Sequence, residues 1–340
     1  MDLVPDEEQQ QIIDLAADFL QREMPLSRLH GAPFSVDAAR AQREKFAELG
    51  WAGIGLAESS GGVGMSVVEE VLILREVGRV VGPTALIPTI LATKLADSLG
   101  LAELRDRLLA GGCGAAYAVA EAPLSSSQTG VRGTARVYDI QDAACVLVAV
   151  ADEVLLLEVE DGASLEPVPW LDAFTPVARR DLGGLRLLGR APAAAIRING
   201  MLLTAAMLTG LAEGAVAMIA DYAKIRETFG RKIGSYQAVR HPIAEGAARS
   251  DHAKSLLYFA ALAFAEGRVD AELQARSAKV IAHRAATRNA DINIQLHGGI
   301  GITDDLPAHH FMKRTLMLAP WFGGRKTQLD ALLDQPLLTI

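Results

Sequence analysis

The chain is poor in cysteine and in positive charge, and it lacks long apolar runs. Its two cysteines, Cys113 and Cys145, form neither a disulfide framework nor a metal- or redox-type spacing. Lysine and arginine number 33 against 41 acids, so the net charge of −8 argues against nucleic acid or an anionic membrane as the main partner. The most apolar segments are broken by Asp152-Glu153 and by Glu213. No span of about 20 uninterrupted apolar residues therefore arises, and no membrane insertion is expected. The first residues, Met1-Asp-Leu-Val-Pro-Asp-Glu-Glu, are acidic and lack the basic-then-apolar pattern of a signal peptide. The expectation is a soluble, cytoplasmic protein. There is no internal repeat, low-complexity tract or linker-like stretch. What is present is a half-hydrophobic chain of 340 residues, enough for one large domain or two to three small ones.

Residues 1–111 read as an N-terminal helical domain. Pro5-Asp-Glu-Glu suits a helix start, Ile12, Ile13, Leu15, Ala16, Phe19 and Leu20 recur at helical spacing, and Ser35 can cap the next helix, which ends near Gly50. The turn-rich loop Leu49–Gly64 is a poor nucleotide motif: Glu58 stands where a third glycine should be, and no strand precedes it. An amphipathic helix then runs through Arg79, and its Glu69, Glu70, Glu76 and Arg79 read as a solvated face. Residues 112–198 change period. Ala115–Ala120, Val131–Tyr138, Cys145–Val150, Val154–Val159 and Ala194–Ile198 are short apolar or alternating runs, expected as strands of a small middle β-domain. Residues 199–340 return to helix: Asn199 to about Thr228, His241–Glu266, Asp270–Leu296, Asp304–Leu318, and a last one after Gly324. Pro242 is expected in the first turn of its helix or at a kink. The fold class is α+β, a helical bundle following a β-domain.

The organising stretch is Arg226–Gln237, Arg-Glu-Thr-Phe-Gly-Arg-Lys-Ile-Gly-Ser-Tyr-Gln, a Gly-bounded break between two long helices. Two readings fit these residues. In one, a guanidinium forks onto a phosphate, a ring packs on a flat base and an amide bonds a ribose or phosphate oxygen, a kit for a dinucleotide. In the other, a helix–turn–helix simply leaves its polar residues in solvent.

This stretch resembles the Arg-x-x-Phe-Gly…Gln signature of the flavin-dependent acyl-CoA dehydrogenases. Gln295-Leu-His-Gly-Gly-Ile-Gly301 resembles that family's Gln-x-x-Gly-Gly-x-Gly, and the loop and helix around residues 49–79 are similar to its N-terminal domain. The helix–strand–helix order extends the resemblance over essentially the whole chain. It implies the acyl-CoA dehydrogenase fold: an N-terminal helical domain at 1–111, a shortened middle β-domain at 112–198 and a C-terminal four-helix bundle at 199–340. It also implies FAD as cofactor, an acyl-CoA as substrate and an electron-transfer flavoprotein or similar acceptor.

The family removes a proton α to a thioester carbonyl with a carboxylate base and passes the β-hydrogen to the flavin as hydride. Its glutamate stands at one of two positions. Here one is Phe322, within Pro320-Trp-Phe-Gly-Gly-Arg-Lys, and the other is Gly200, 26 residues before Arg226. Neither residue accepts a proton. Ala120 replaces a threonine that meets the flavin, and Gly324 and Lys326 replace further flavin contacts. In the family's dimers, the Arg-x-x-Phe-Gly…Gln and Gln-x-x-Gly-Gly residues serve the neighbour's flavin. The resemblance therefore implies a subunit of a hetero-oligomer. It would donate Arg226, Thr228, Phe229, Gln237, Gln295, Gly298 and Gly299 to a site whose base belongs to a homologous partner. Such assemblies resemble those acting on CoA-linked steroid side chains. Two alternatives remain: a self-sufficient enzyme using Glu213 or Glu121 as base, and a non-enzymatic scaffold of the same fold.

Other polar residues have plain expectations. Glu213 lies on the order of 20 Å along the helix from Gly200, at 1.5 Å per residue, and is expected in a buried polar pair or an interface. His309-His310 is expected on a solvated face, since adjacent helical residues point apart. His297 either touches the cofactor or is a packed histidine.

Overall fold

The computed structural model describes residues 3–30, 35–159 and 168–334. The helices α1 (Glu7–Glu23), α2 (Val36–Glu48), α3 (Val67–Arg79), α4 (Leu86–Ser98) and α5 (Ala102–Leu109) come first. The strands β1 (Gly114–Ala120), β2 (Ser125–Ser127), β3 (Gly130–Arg132), β4 (Thr134–Tyr138), β5 (Ala143–Val150), β6 (Glu153–Glu158), β7 (Val177–Asp181) and β8 (Leu187–Pro192) follow. Then come α6 (Ala193–Ile225), a hairpin of β9 (Glu227–Thr228) and β10 (Arg231–Lys232), and α7 (Gln237–Ala265), α8 (Ala271–His297), α9 (Ala308–Leu318) and α10 (Arg325–Leu333). This is the helical, β-sheet and helical order expected. The chain groups into two compact units, one of Ala32–Glu70 and Pro83–Gly200, the other of Met1–Gly31, Val71–Gly82 and Met201–Ile340.

In the first unit, six strands form one sheet in the order β7-β4-β1-β5-β6-β8, antiparallel throughout except where β1 lies parallel to β5. One face buries Ala116, Ala118, Val137, Val146, Val148 and Leu155 with the residues around them. Helix α4 is apolar on nearly all sides because it too is enclosed, from Leu86 to Ala96. β5 and β6 join through Ala151-Asp152, where Ala151 takes a left-handed φ of 52°. The loop before α3 folds onto itself: the amides of Gly62, Val63, Gly64 and Met65 bond Ala57, Gly53, Leu56 and Ile54 carbonyls at 2.8–3.0 Å. Those amides are spent internally and cradle nothing.

Several expectations change here. Ala194–Ile198 is not a strand but the first turns of α6. Three alanines after Pro192 are strong helix formers, and the Ala193 amide is anchored on the Asp152 carbonyl at 2.8 Å. The strands that close the sheet are β7, interrupted by Arg179 and Arg180, and β8, nowhere fully buried; both are short and only partly covered because they are its edges. Val131–Tyr138 is two strands, split at Gly133, where φ is 128°. The acids of α3 are not a solvated face. Glu70 and Glu76 are 0% and 2% exposed. Glu70 is held by Lys94 Nζ at 2.6 Å, the Gly55 amide at 3.2 Å and Asn199 Nδ2 at 3.2 Å.

In the second unit, α6 from Met201 to Ala212 is buried all round. Among the described residues it is the one helix long and apolar enough to cross a membrane, and 78% of its most apolar stretch is enclosed by protein. Asn289 ties three helices: its Nδ2 donates to the Ala212 carbonyl on α6 at 3.2 Å, and to the Gly246 carbonyl (3.0 Å) and Ser250 Oγ (2.9 Å) on α7. Close helix approach needs glycine. A methyl on Gly210 would overlap the Arg75 carbonyl oxygen and come within 2.8 Å of the Arg79 amide, and one on Gly78 would lie 2.9 Å from Met207 Cα. α7 starts at Gln237, earlier than expected, which puts Pro242 in its second turn. His309 and His310 are buried, each 7% exposed, with ring centroids 4.1 Å apart at the start of α9. They correct the expected solvated face: α9 begins inside the core.

Candidate functional site

The site is assembled where α6 ends. Arg226 leaves the helix with its amide on the Tyr222 carbonyl at 2.9 Å, and β9 and β10 pair Thr228 with Arg231 and Glu227 with Lys232. The two-residue connection is Phe229-Gly230, with φ of 50° and 77°. Positive φ at both central positions is a type I′ turn, which suits the twist of a two-stranded hairpin and favours Asn or Gly over Phe. Phe229 holds this backbone while 97% exposed. Lys232 bonds Glu227 at 2.7 Å and the Ile225 carbonyl at 3.3 Å, neutralising the helix end. Arg231 stacks over Tyr236 at 3.8 Å, and the Tyr236 hydroxyl donates to the Thr228 carbonyl at 3.1 Å. The hairpin is thus braced from within. Arg226 is the exception: it is exposed, and no described residue pairs with its guanidinium.

Gln237 is the first residue of the 29-residue α7 and is exposed. Its turn presents unpaired backbone amides and the positive end of the helix dipole, an environment for an anion. The second motif closes α8. Gln295 is exposed, Gly298 turns the chain with φ of 70°, and a Cβ on Gly298 or Gly299 would meet nothing within 4 Å. The two motifs meet through Tyr222 and His297, whose ring centroids lie 4.3 Å apart. His297 is 5% exposed, and its Nδ1 lies 2.7 Å from the Asn293 carbonyl oxygen. Tyr222 and Asn293 carry no motif; nothing local in the sequence marks them, because they act by joining segments about 70 residues apart.

The second unit therefore carries Arg226, Thr228, Phe229, Gln237, Gln295, Gly298 and Gly299 on two adjoining segments. An unpaired arginine, a helix N-terminus and an open glycine turn suit the diphosphate of FAD, and an exposed ring suits a flat base. The residues fit the group.

The two base positions carry no carboxylate. Phe322 is buried between α9 and α10 with a left-handed φ of 53°. Its loop is pinned: Gln328 Nε2 donates to the Phe322 carbonyl at 2.6 Å, and Lys279 Nζ donates to the Gly323 carbonyl. Gly200 is buried within α6. Of the two alternative bases, Glu213 is paired with Arg75 Nε at 2.8 Å, in a part-buried ion pair rather than the buried one expected. Glu121 is bound by Arg179 Nε at 2.8 Å and Arg136 Nε at 3.1 Å, and the hydrogen bond from Arg179 holds its carboxyl below the usual range. A carboxylate so held is a weak proton acceptor. Among the described residues no group of three or more His, Cys, Asp or Glu is arranged to hold a metal ion.

Comparison with known proteins gives a consistent result. Residues 6–114 match the family model described as Acyl-CoA dehydrogenase, N-terminal domain, and residues 199–335 match Acyl-CoA dehydrogenase, C-terminal domain. The chain is 28% identical over 327 residues to acyl-CoA dehydrogenase IpdE2 of Mycobacterium tuberculosis, covering 92% of each. It is 29% identical over 303 residues to acyl-CoA dehydrogenase FadE34 of the same organism, covering 85% of this chain and 41% of FadE34, so it spans less than half of that relative. A solved variant of the Tcur3481-Tcur3483 steroid ACAD superposes with a TM-score of 0.84 at 26% identity, over 96% of this chain and 97% of that one. The ChsE4-ChsE5 complex from M. tuberculosis superposes with a TM-score of 0.84 at 22% identity, over 99% and 100% of the two chains.

Proposed function

The chain belongs to the acyl-CoA dehydrogenase family, whose members are FAD-dependent flavoproteins, and from that premise we propose that it is the base-lacking subunit of a heteromeric acyl-CoA dehydrogenase. It provides the diphosphate- and adenosine-binding half of a flavin site, and a homologous partner provides the catalytic glutamate. The observation that carries this reading is an asymmetry. Arg226 stands unpaired beside the exposed Phe229, whereas Phe322 and Gly200 fill the two positions where a base would stand.

Bound FAD supplies the hydride acceptor. This chain's residues act by binding and orientation. Arg226 places a fork of donors on a diphosphate oxygen, with Thr228 beside it in the hairpin. The first turn of α7 adds Gln237 and its free amides. The Gly298-Gly299 turn admits the diphosphate close to the backbone, since no side chain stands in the way. Phe229 offers its face to a flat ring. The α-proton is taken by the partner's carboxylate, and the two electrons of the hydride pass on to an electron-transfer flavoprotein or similar acceptor. The resemblance to a steroid ACAD named for two components favours a bulky, steroid-type acyl-CoA as substrate.

Flavin content decides the matter, measured for the chain alone and after co-purification with a homologous chain that carries the glutamate. About one FAD per pair of unlike chains, lost on Arg226→Ala, is expected. One FAD per chain in the isolated protein would refute the shared site and point to a self-sufficient enzyme. No flavin in either preparation would leave a scaffold of the same fold.

A further inference from the structure

The turn at Phe322, where a base would stand, is set in positive charge. Lys279 Nζ donates to the carbonyl of Gly323, the residue after Phe322, and to the Ala319 carbonyl at 3.5 Å. His283 lies four residues further along α8 and so on the same face of that helix. Arg325 follows Gly323 by two residues and opens α10. Burial, and then the charges of Lys279 and Arg325, hold the His283 imidazole below its ordinary pKa.

No carboxylate answers these charges. Glu272, Asp291 and Asp330, the acids on the neighbouring turns of the two helices, are each paired along their own helix, with Arg276, Arg288 and Lys326. Among the described residues nothing pairs with the Arg325 guanidinium or the His283 ring. Both can be reached: Arg325 is exposed, and His283 is half-buried with neither ring nitrogen sealed from solvent. A Cβ on Gly324, between the turn and Arg325, would meet nothing within 4 Å, so the approach is open. Three basic groups gathered without an acid repel one another, and a single negative charge would leave them still positive. A dianion suits them better, and a guanidinium fork matches two oxygens of a phosphate group.

We propose that Arg325 and His283, over a floor of Lys279, bind a phosphate-type dianion beside the Phe322 turn. Arg325 forks onto two oxygens and His283 donates to a third, while Lys279 keeps its bond to Gly323 and contributes its field. The site is separate from the flavin half-site, since His283 stands 12 residues before Gln295 on α8, roughly 18 Å at 1.5 Å per residue. Two sources supply this chemistry: inorganic phosphate, and the 3′-phosphate monoester of a CoA moiety. Occupancy is linked to proton uptake. The charged groups acting on His283, Lys279 on its own helix and Arg325 on α10, are both positive, so an anion reverses the sign of its surroundings.

The test uses the full chain with 13C-histidine and follows the His283 Cε1–H signal, assigned through His283→Gln, in pH titrations at constant ionic strength. Sulfate, a dianion throughout, should raise the His283 pKa by about one unit, which is about tenfold tighter binding to the protonated ring, and phosphate should act likewise. Arg325→Gln should weaken either anion about tenfold or more, the scale of a charge-assisted pair. Lys326→Gln, its paired neighbour, and Arg226→Ala should change nothing. A response to CoA at lower concentration than to 3′-dephospho-CoA identifies the 3′-phosphate as the source, and equal responses, no better than that to phosphate, identify the free anion. The inference is overturned if tens of millimolar sulfate leave the His283 pKa where it was. It is equally overturned if Arg325→Gln responds as wild type does, or if Lys326→Gln loses the response to the same extent. FAD released by Arg226→Ala with no His283 response refutes this site alone, and a His283 response in a pair that holds no flavin refutes the shared site alone.

Discussion

Consider Phe229→Asn. The side chain is 97% exposed, so its removal uncovers no core, and its φ of 50° is one that an L-residue holds at a cost of about 1–2 kcal/mol. Asparagine tolerates that region far better and is a preferred residue of this turn type. The isolated chain should therefore gain roughly 0.5–1 kcal/mol, or about one to four degrees in thermal midpoint at the scaling for units of 150–250 residues. Flavin binding should move the other way. A ring set against a flat base contributes about 0.5–1.5 kcal/mol beyond its buried area, so the variant pair should hold FAD roughly three- to tenfold less tightly. The assays are thermal unfolding of the chain alone and an FAD titration of the pair. A loss of stability above about 1 kcal/mol would show that the ring packs within the chain. Unchanged FAD affinity would show that it does not touch the cofactor. Opposite signs from one substitution are the signature of a residue kept in a strained conformation for a ligand.

Two further outcomes test the packing. Gly210→Ala drives a methyl into the Arg75 carbonyl and toward the Arg79 amide, both backbone atoms that cannot rotate away, and should lower stability by about 3 kcal/mol or more in denaturant unfolding. Lys279, buried with its Nζ donating to the Ala319 and Gly323 carbonyls, has its pKa lowered by burial from 10.5 to about 7. Between those values the unfolded chain holds a proton that the folded chain does not. The Lys279 contribution to stability is therefore fully present above pH 10.5, is lost as pH falls to 7, and changes little below that. At 1.36 kcal/mol per pH unit this is up to about 4–5 kcal/mol. Lys279→Met should remove that slope from the pH profile relative to wild type, and an unchanged difference between the two across pH 7–10 would refute the assignment.

The parts legible in the sequence were those with local signatures. Long helices showed their period, Ser35 caps α2 as its type suggests, and the two glycine-bearing motifs fall at helix ends. The illegible parts depend on what lies across space. Glu70 looks like a wet face until Lys94 is brought to it from α4, and Glu76, though paired with Arg75 and Arg79 of its own helix, is 2% exposed. His309 and His310 look solvated until α9 is seen to begin in the core. β7 and β8 are missed because an edge strand need bury little, and Ala194–Ile198 misleads because five residues are too few to separate alternation from a helical start. At the site, Arg226 and Gln237 were visible as motif members, whereas Tyr222 and His297 acquire meaning only from the tilted ring contact between them.

The glycine crossing of α3 and α6 also acts as a fulcrum. Because Gly78 and Gly210 bring backbone against backbone, the angle between the helices is fixed without adjustable side chains at the pivot. From Gly210 to Arg226 the chain advances 16 residues, nearly all in α6, an arm of roughly 24 Å at 1.5 Å per residue. A tilt of two to three degrees at the pivot would swing the guanidinium by about 1 Å, a displacement large enough to misplace a bound group. Substitutions at the crossing should therefore be read out at the far end of the lever, as altered flavin affinity in variants that touch no part of the flavin site.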